Sequence, residues 1–210
     1  MKYFLLLALM VPLTSHAEWI SSSSGRSGGS SGMGGIKFRL LGGLKLQRAT
    51  MMSKDDFVEK RSLNGIGADA IAGVNIGPLI LGAGGSYTKF YQSTDKDDVD
   101  GTDTSGDLTQ LNGVVGLAFG KLCLIGKYIF KADYKLGQKT EAGESSTYSK
   151  PDASYGISLL YRPGGRSTWS LDYTNINFTE AKIGSAKTKL SDSDEQINLN
   201  SFGLTYGFMF

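Results

Sequence analysis

Alternation of apolar and polar residues is the dominant pattern along this chain. Between Leu122 and Leu136 the even-numbered residues (one parity) are all apolar or aromatic, and the odd-numbered residues (the other parity) include all the charged ones. The last ten residues, SFGLTYGFMF, alternate in the same way. Period-two alternation predicts β-strands with two different faces. No segment after residue 17 has the roughly 18 consecutive apolar residues of a membrane helix.

The alternation predicts eight strands with connections of two lengths. Their approximate bounds are Ile36–Arg48, Asn64–Ile76, Leu79–Gln92, Thr109–Phe119, Leu122–Leu136, Ala153–Arg162, Ser167–Phe178 and Ile197–Phe210. Tight turns at 77–78, 120–121 and 163–166 alternate with long polar segments at 49–63, 93–108, 137–152 and 179–196. This organisation predicts an all-β fold, an eight-stranded antiparallel up-and-down transmembrane β-barrel over residues 36–210.

The aromatic residues favour the membrane over a soluble barrel. A soluble barrel would bury its apolar face, and so many aromatic side chains exceed the interior of eight strands. In a membrane they form two girdles at the headgroup levels. The predicted girdles are Phe119, Tyr161, Trp169, Phe208 and Phe210 at the short-turn end, with Tyr87, Tyr91, Tyr134 and Tyr155 at the long-loop end.

The first 35 residues predict export. Lys2, the apolar run 3–13 and the small residues Ser15 and Ala17 are typical of a secretory signal peptide over residues 1–17. Residues 18–35 are rich in Gly and Ser and predict a flexible periplasmic lead-in. A segment threaded into the barrel is the alternative.

With this leader and the terminal Tyr206-Gly207-Phe208-Met209-Phe210, the chain resembles the small OmpA-, OmpX- and OmpW-like barrels of Gram-negative outer membranes. The resemblance covers residues 36–210 as a pattern and implies a bacterial outer-membrane location. It also implies that Tyr206, Phe208 and Phe210 form an insertion signal recognised by the barrel assembly machinery. It implies no activity.

Composition argues against the usual catalytic chemistry. His16 is the only histidine, and removal of residues 1–17 leaves none. His-based nucleophile chemistry and His-ligated zinc are then excluded, and the enzymes of the resembled group also depend on a histidine. We therefore expect no enzyme, no catalytic residue and no cofactor. The formal net charge of +2 gives no reason to expect a nucleic-acid partner.

The parity that faces the lumen carries charges of both signs: Lys37, Arg39, Lys45, Lys127, Lys131, Lys135 and Arg162 with Asp69, Asp133 and Asp172. These charges predict an ion-pair network that plugs the barrel. An anion pathway is the alternative. The same parity also holds apolar residues, which leaves a hydrophobic ligand open.

The acidic segment 96–107 partly fits a calcium-binding loop, with Asp98, Asp100, Gly101 and Asp107 at ligand or turn positions. Lys96 stands where the first carboxylate is required, so we expect a solvated acidic loop and no metal site.

The lipid-facing parity is uneven around the barrel. Strands one to four carry small residues there, namely Gly42, Ala68, Ala70, Ala72, Ala83, Gly85 and Gly113, whereas strands five to eight carry bulky aromatic ones. Small residues let protein surfaces approach closely within a membrane, although they also relieve crowding in a curved sheet. We expect a structural or membrane-organising homo-oligomer in contact with phospholipid or lipopolysaccharide, which would enclose lipid if it formed a ring. The alternatives are a narrow channel for small or hydrophobic molecules and adhesion through the long loops.

Overall fold

The computed structural model describes residues 36–53, 61–92, 105–139, 145–190 and 196–210. The predicted signal peptide (1–17), the lead-in (18–35) and most of the acidic loop lie outside these ranges. The described residues form nine strands: β1 (Lys37–Ser53), β2 (Arg61–Ile76), β3 (Leu79–Gln92), β4 (Gly106–Phe119), β5 (Leu122–Lys139), β6 (Ser145–Gly164), β7 (Ser167–Ile183), β8 (Ala186–Lys189) and β9 (Ile197–Met209). They contain no helix long and apolar enough to cross a membrane.

Eight of these strands close into an antiparallel barrel, as the alternation predicts. Each strand from β1 to β7 pairs with the next one, and β9 closes the sheet between β7 and β1. Pairing partners followed once around the barrel from Arg39 return to β1 at Ala49. A stagger of this kind tilts the strands against the barrel axis. The short β8 pairs only with the end of β7 and lies outside the barrel wall.

Two of the tight turns depend on glycine. Gly77 and Gly120 both have φ of +59°, in the turns that connect β2 to β3 and β4 to β5. Positive φ is a conformation that glycine adopts without steric cost, and two-residue hairpins require it. These turns lie at the end of the barrel opposite the last residues of β1, β3 and β5.

A β-bulge in β5 changes which side chains face the lumen. Leu111 of β4 pairs with Lys131, but the adjacent Asn112 pairs with Ile129, so Phe130 is an extra residue. An extra residue inverts the parity of everything that follows it. The predicted lumen positions of Lys131 and Asp133 are therefore wrong, because these side chains are 61% and 43% exposed on the outer surface.

The bulge also changes the predicted positions of other residues in the part of β5 nearest the long-loop end, which we call its upper part. Lys135 also faces outward. Tyr134, which was predicted in the upper aromatic girdle, is fully buried inside the barrel. The other predicted girdle tyrosines, Tyr87, Tyr91 and Tyr155, are exposed on the outer wall.

The outer wall changes from apolar to polar at a defined position on most strands. Towards the short turns the outward residues are apolar, as with Leu46, Ile66 and Phe202, which are 59%, 39% and 69% exposed. Towards the long loops they become polar on seven of the eight barrel strands, beginning with Arg48, Asn64, Lys89, Thr109, Lys131, Asn175 and Asn200. The apolar part is the band that lies in lipid, and the polar part projects beyond it.

The interior becomes apolar at the level where the outer wall becomes polar. Beyond the apolar band it holds a hydrophobic core, formed by Ala49, Met51, Leu63, Phe90, Leu108, Ile129, Ala132, Tyr134, Ile176, Phe178, Ile197 and Leu199. A polar layer follows this core in the direction of the short turns. Still closer to the short turns lies a smaller apolar cluster of Ile71, Val114, Cys123, Ile125 and Leu160. The projecting part is thus organised like a soluble protein, with apolar residues inside and polar residues outside. This explains why β1, β2, β4, β5, β6 and β7 extend further towards the loops than predicted.

Candidate functional site

The polar layer inside the barrel is centred on Asp172 of β7. Its carboxylate accepts hydrogen bonds from Thr205 Oγ1 at 2.8 Å, from Ser170 Oγ at 2.9 Å and from Ser158 Oγ. Lys127 Nζ lies 3.3 Å from Asp172 and 3.0 Å from Asp69. A buried charge is tolerated only when it is paired and hydrogen-bonded, and this network meets both conditions for Asp172.

Lys45 lies in the same layer and is only 2% exposed. Gly203 makes room for it, since a Cβ at Gly203 would lie 2.9 Å from Lys45 Cε. The structure therefore brings Lys45, Asp69, Lys127 and Asp172 into one layer.

The remaining predicted lumen charges lie at the short-turn end. Arg39 and Arg162 approach the sulfur of Met209, with Nη1 to Sδ distances of 3.0 and 3.8 Å. Arg162 also donates to the carbonyl of Gly120 at 2.9 Å. Lys37 is exposed at the rim. These three residues form no part of the central layer.

The described interior leaves little free space. Two cavities inside it have volumes of about 10 and 30 Å³, one beside Lys127 and Asp172 and the other beside Cys123 and Leu160. Such volumes accommodate a water molecule or two. The hydrophobic core closes the loop end above them. Neither of these two cavities is large enough for a hydrophobic ligand or forms a continuous aqueous path.

The small outward residues of β1 to β4 form one contiguous surface. Ala70 pairs with Gly42 on one side and with Gly85 on the other. Ala83 pairs with Ala72 and with Gly113. Ala68 lies two residues from Ala70 on the same face of β2. We call this surface, formed by Gly42, Ala68, Ala70, Ala72, Ala83, Gly85 and Gly113, the small-residue wall.

Two glycines of this wall are not required by packing within the barrel. A Cβ placed at Gly42 or at Gly113 would meet no atom within 4 Å. The inward Gly65 is different, because its Cβ would lie 2.7 Å from the ring of Phe90. Crowding in the curved sheet therefore accounts for Gly65 but not for Gly42 or Gly113.

The opposite wall, on β6, β7 and β9, is covered by aromatic rings in contact. Tyr173 lies 4.9 Å from Phe202 and 6.3 Å from Tyr155 between ring centroids. Trp169 lies 4.7 Å from Tyr206. The two halves of the outer wall thus differ in the size of their side chains as well as in residue type: one carries small residues and the other large aromatic rings.

The residues of the predicted insertion signal complete the barrel seam. Tyr206 and Phe208 lie on the outer face with ring centroids 5.4 Å apart. Phe210 exchanges backbone hydrogen bonds with Leu40 at 2.7 and 3.0 Å, which fixes β9 against β1. Recognition by the assembly machinery stays a prediction.

Two polar features were missed in the sequence. Asn175 and Asn177 of β7 face Asn200 and Asn198 of β9 on the outer surface, where their amides hydrogen-bond to one another. Their period-two spacing on both strands is visible in the sequence, but the pairing of β7 with β9 is needed to bring them together. The other feature is Glu180, which pairs with Lys150 of the neighbouring strand.

No metal site is found in the part of the chain that the structure describes, where no three His, Cys, Asp or Glu residues come together. Asp107 of the acidic loop accepts a hydrogen bond from Tyr87 Oη at 2.7 Å on the outer wall.

Comparison with known proteins agrees with this architecture. No protein-family model matches the chain, and no curated protein matches it. Among solved structures it is similar to Ail, the attachment invasion locus protein of Yersinia pestis in complex with the heparin analogue sucrose octasulfate, with 13% identity and a TM-score of 0.50 over 83% of this chain and 99% of Ail. An outer membrane channel from Pseudomonas putida F1 matches with 13% identity over 82% of this chain and 95% of the channel, but its TM-score of 0.30 supports no argument.

At this level of identity the similarity to Ail shows a shared fold and not a shared function. The closed eight-stranded sheet and the outward apolar band are features of bacterial outer-membrane barrels. The chain is therefore a small outer-membrane β-barrel, and its location is the bacterial outer membrane.

Proposed function

We propose that this protein is a non-conducting barrel that organises the outer membrane by lateral assembly. Copies meet through the small-residue wall and form a homo-oligomer. The observation that carries this proposal is the open space around Gly42 and Gly113, where the barrel itself would accept a side chain. Small residues at such positions allow two protein surfaces to pack closely in lipid, where no hydrophobic drive operates.

The symmetry of the contact determines the product of assembly. If two small-residue walls meet each other, the product is a dimer. If this wall meets a different surface of the next copy, the contact is heterologous and a ring results when the rotation closes. Lipid-facing walls would then surround a patch of lipid, which gives the assembly a role in membrane organisation.

The alternatives receive less support. The interior cavities of about 10 and 30 Å³ do not favour a channel. Adhesion depends on loops that lie outside the described residues and stays a prediction. Ail was solved with a sulfated sugar, but a shared fold alone does not extend that ligand to this chain.

Cross-linking in native membranes tests the proposal. Cys123 is the only cysteine and is buried, so a single introduced cysteine is a clean probe. If two small-residue walls meet each other, Ala70→Cys should give a covalent dimer on addition of a short bifunctional thiol reagent. If the contact is heterologous, a dimer should form only when Ala70→Cys is mixed with a cysteine variant on the facing surface. Leu171→Cys is the matched control, since Leu171 is 61% exposed on the opposite wall. Equal cross-linking of the two variants would mean that barrels collide without a preferred face.

A further inference from the structure

A broad, open groove crosses the outer wall beside the small-residue wall. It has a volume of about 720 Å³ and runs over β2, β1, β9, β7 and β6. Its floor and sides include Leu46, Leu204, Leu171, Ile157 and Leu159. These residues lie within the apolar band, where an acyl chain is the natural occupant of an apolar groove.

The end of the groove towards the long loops is polar. Arg48 and Asn64 line it there and are exposed, and they are directly paired across β1 and β2. On its other side Arg48 pairs with Phe202, an apolar residue. Among the described residues no carboxylate forms an ion pair with Arg48, in contrast to Lys127. The guanidinium is thus available at the level where the wall changes from apolar to polar.

A ladder of amides adjoins this end of the groove. Asn175 Nδ2 donates to Asn200 Oδ1 at 2.6 Å, and Tyr173 Oη donates to the same oxygen at 3.1 Å. Asn200 stands two residues beyond Phe202 on the same face of β9. Asn177, Asn198 and Asn200 each keep at least one amide hydrogen that these hydrogen bonds do not use, and such donors suit the hydroxyl oxygens of a sugar.

We propose that this surface binds a phosphorylated glycolipid of the outer leaflet, namely lipopolysaccharide through its lipid A part. An acyl chain lies in the groove, Arg48 pairs with a phosphate, and the amide ladder contacts the sugar. The location supports the outer leaflet, because the polar end of the groove lies at the long-loop end of the barrel, which faces outward. None of the residues that line the groove belongs to the small-residue wall, although both surfaces extend over β1 and β2.

Native mass spectrometry of the folded, detergent-solubilised barrel tests this site. The probes are lipid A with its phosphates, lipid A without phosphates, and phosphatidylglycerol. We expect one molecule of phosphorylated lipid A to bind roughly tenfold more tightly than either other lipid, as one charge-assisted contact would give. Measurement on barrels that carry Ala70→Trp removes any contribution from oligomers.

Variants separate the roles of the two polar elements. Arg48→Gln should weaken the binding of phosphorylated lipid A by about tenfold and leave dephosphorylated lipid A unchanged. Asn200→Leu should weaken the binding of both. Lys89→Gln is the matched control, since Lys89 is an exposed cation of the same outer wall that does not line the groove.

Two results would overturn the proposal. One is an equal loss of affinity in Arg48→Gln and Lys89→Gln, which would indicate a diffuse electrostatic attraction. The other is binding of phosphatidylglycerol as tight as that of phosphorylated lipid A, which would indicate a general anionic-lipid surface. Folding of each variant is checked by its heat-modifiable migration on a gel, and the Arg48 and Lys89 pair decides the test if Asn200→Leu does not fold.

Discussion

Phe130 and Lys131 are adjacent in the sequence, yet both side chains lie on the outer surface of the barrel, 55% and 61% exposed. The β-bulge opposite Leu111 and Asn112 produces this arrangement. Below it, β5 follows the membrane pattern, with Tyr128 outside and Lys127 inside. Above it, β5 follows the soluble pattern, with Asp133 outside and Tyr134 inside. The bulge therefore marks the level at which the barrel leaves the lipid.

Thiol labelling tests the position of the bulge. Because Cys123 is buried, wild-type protein should react little with a membrane-impermeant maleimide in intact cells. Asp133→Cys should react readily, because residue 133 lies on the outer surface beyond the apolar band. Ala132→Cys should be protected, because residue 132 is fully buried in the core. If Ala132→Cys reacted and Asp133→Cys were protected, the bulge would be absent and the strand would follow the uninterrupted alternation that the sequence alone predicts.

The interior charge network gives a prediction about stability. Lys127→Met leaves two carboxylates, Asp69 and Asp172, without their shared cation, and should lower the free energy of unfolding by about 3–5 kcal/mol. Urea unfolding of the barrel in lipid vesicles, followed by tryptophan fluorescence, measures it.

The matched control is Lys131→Met, which removes an exposed lysine that lies 3.9 Å from Asp133 on the surface. An exposed ion pair contributes at most about 1 kcal/mol. If the two variants lose similar stability, the network around Asp172 is not the feature that holds the interior together.

Acid should weaken the projecting part of the barrel through Glu180. The hydrogen bond from Lys150, with the charges of Lys150 and Lys187, lowers the pKa of Glu180 below its usual value of 4.5. A lowered pKa in the folded state stabilises the fold above pH 4.5, and this contribution is lost as the pH falls through the lowered pKa. The urea midpoint of wild type should therefore fall more between about pH 6 and about pH 3 than that of Glu180→Gln. Equal falls would show that other groups dominate the acid response.

Planar-bilayer recording tests the closed interior. The hydrophobic core at the loop end and the paired charges below it leave no continuous water column in the described residues. We expect purified wild-type protein to give no discrete conductance steps, while a porin added to the same bilayer gives them. Reproducible steps from wild type would contradict the closed lumen.

Much of the fold is predictable from the sequence, because the lipid imposes a strict alternation on each strand. The turn glycines Gly77 and Gly120 and the closure of the terminal strand follow from the same pattern. The sequence also places Lys45, Asp69, Lys127 and Asp172 on the lumen parity, since below the bulge nothing interrupts the alternation.

The projecting part could not be predicted in the same way. In that part apolar residues face the interior and polar residues face outward, the reverse of the part in lipid. On β7 the outward residue after Tyr173 is therefore the polar Asn175, and the apolar Ile176 is buried inside. In β5 the bulge moves the apolar residues from the outer face to the inner face, although apolar and polar residues continue to alternate in the sequence. A prediction from the alternation alone therefore assigns Lys131, Asp133 and Tyr134 to the wrong faces. A bulge depends on the register of two paired strands, and a single sequence does not contain that register.

The mass of the protein particle in mild detergent tests lateral assembly most directly. Light scattering or sedimentation at several protein concentrations should give wild type a mass of two or more chains of 22.5 kDa, less any leader removed. Ala70→Trp and Ala83→Trp should lower that mass to one chain and leave the barrel folded, whereas Leu171→Trp should leave the mass unchanged. A wild-type particle that contains a single chain at every concentration would contradict the proposed function.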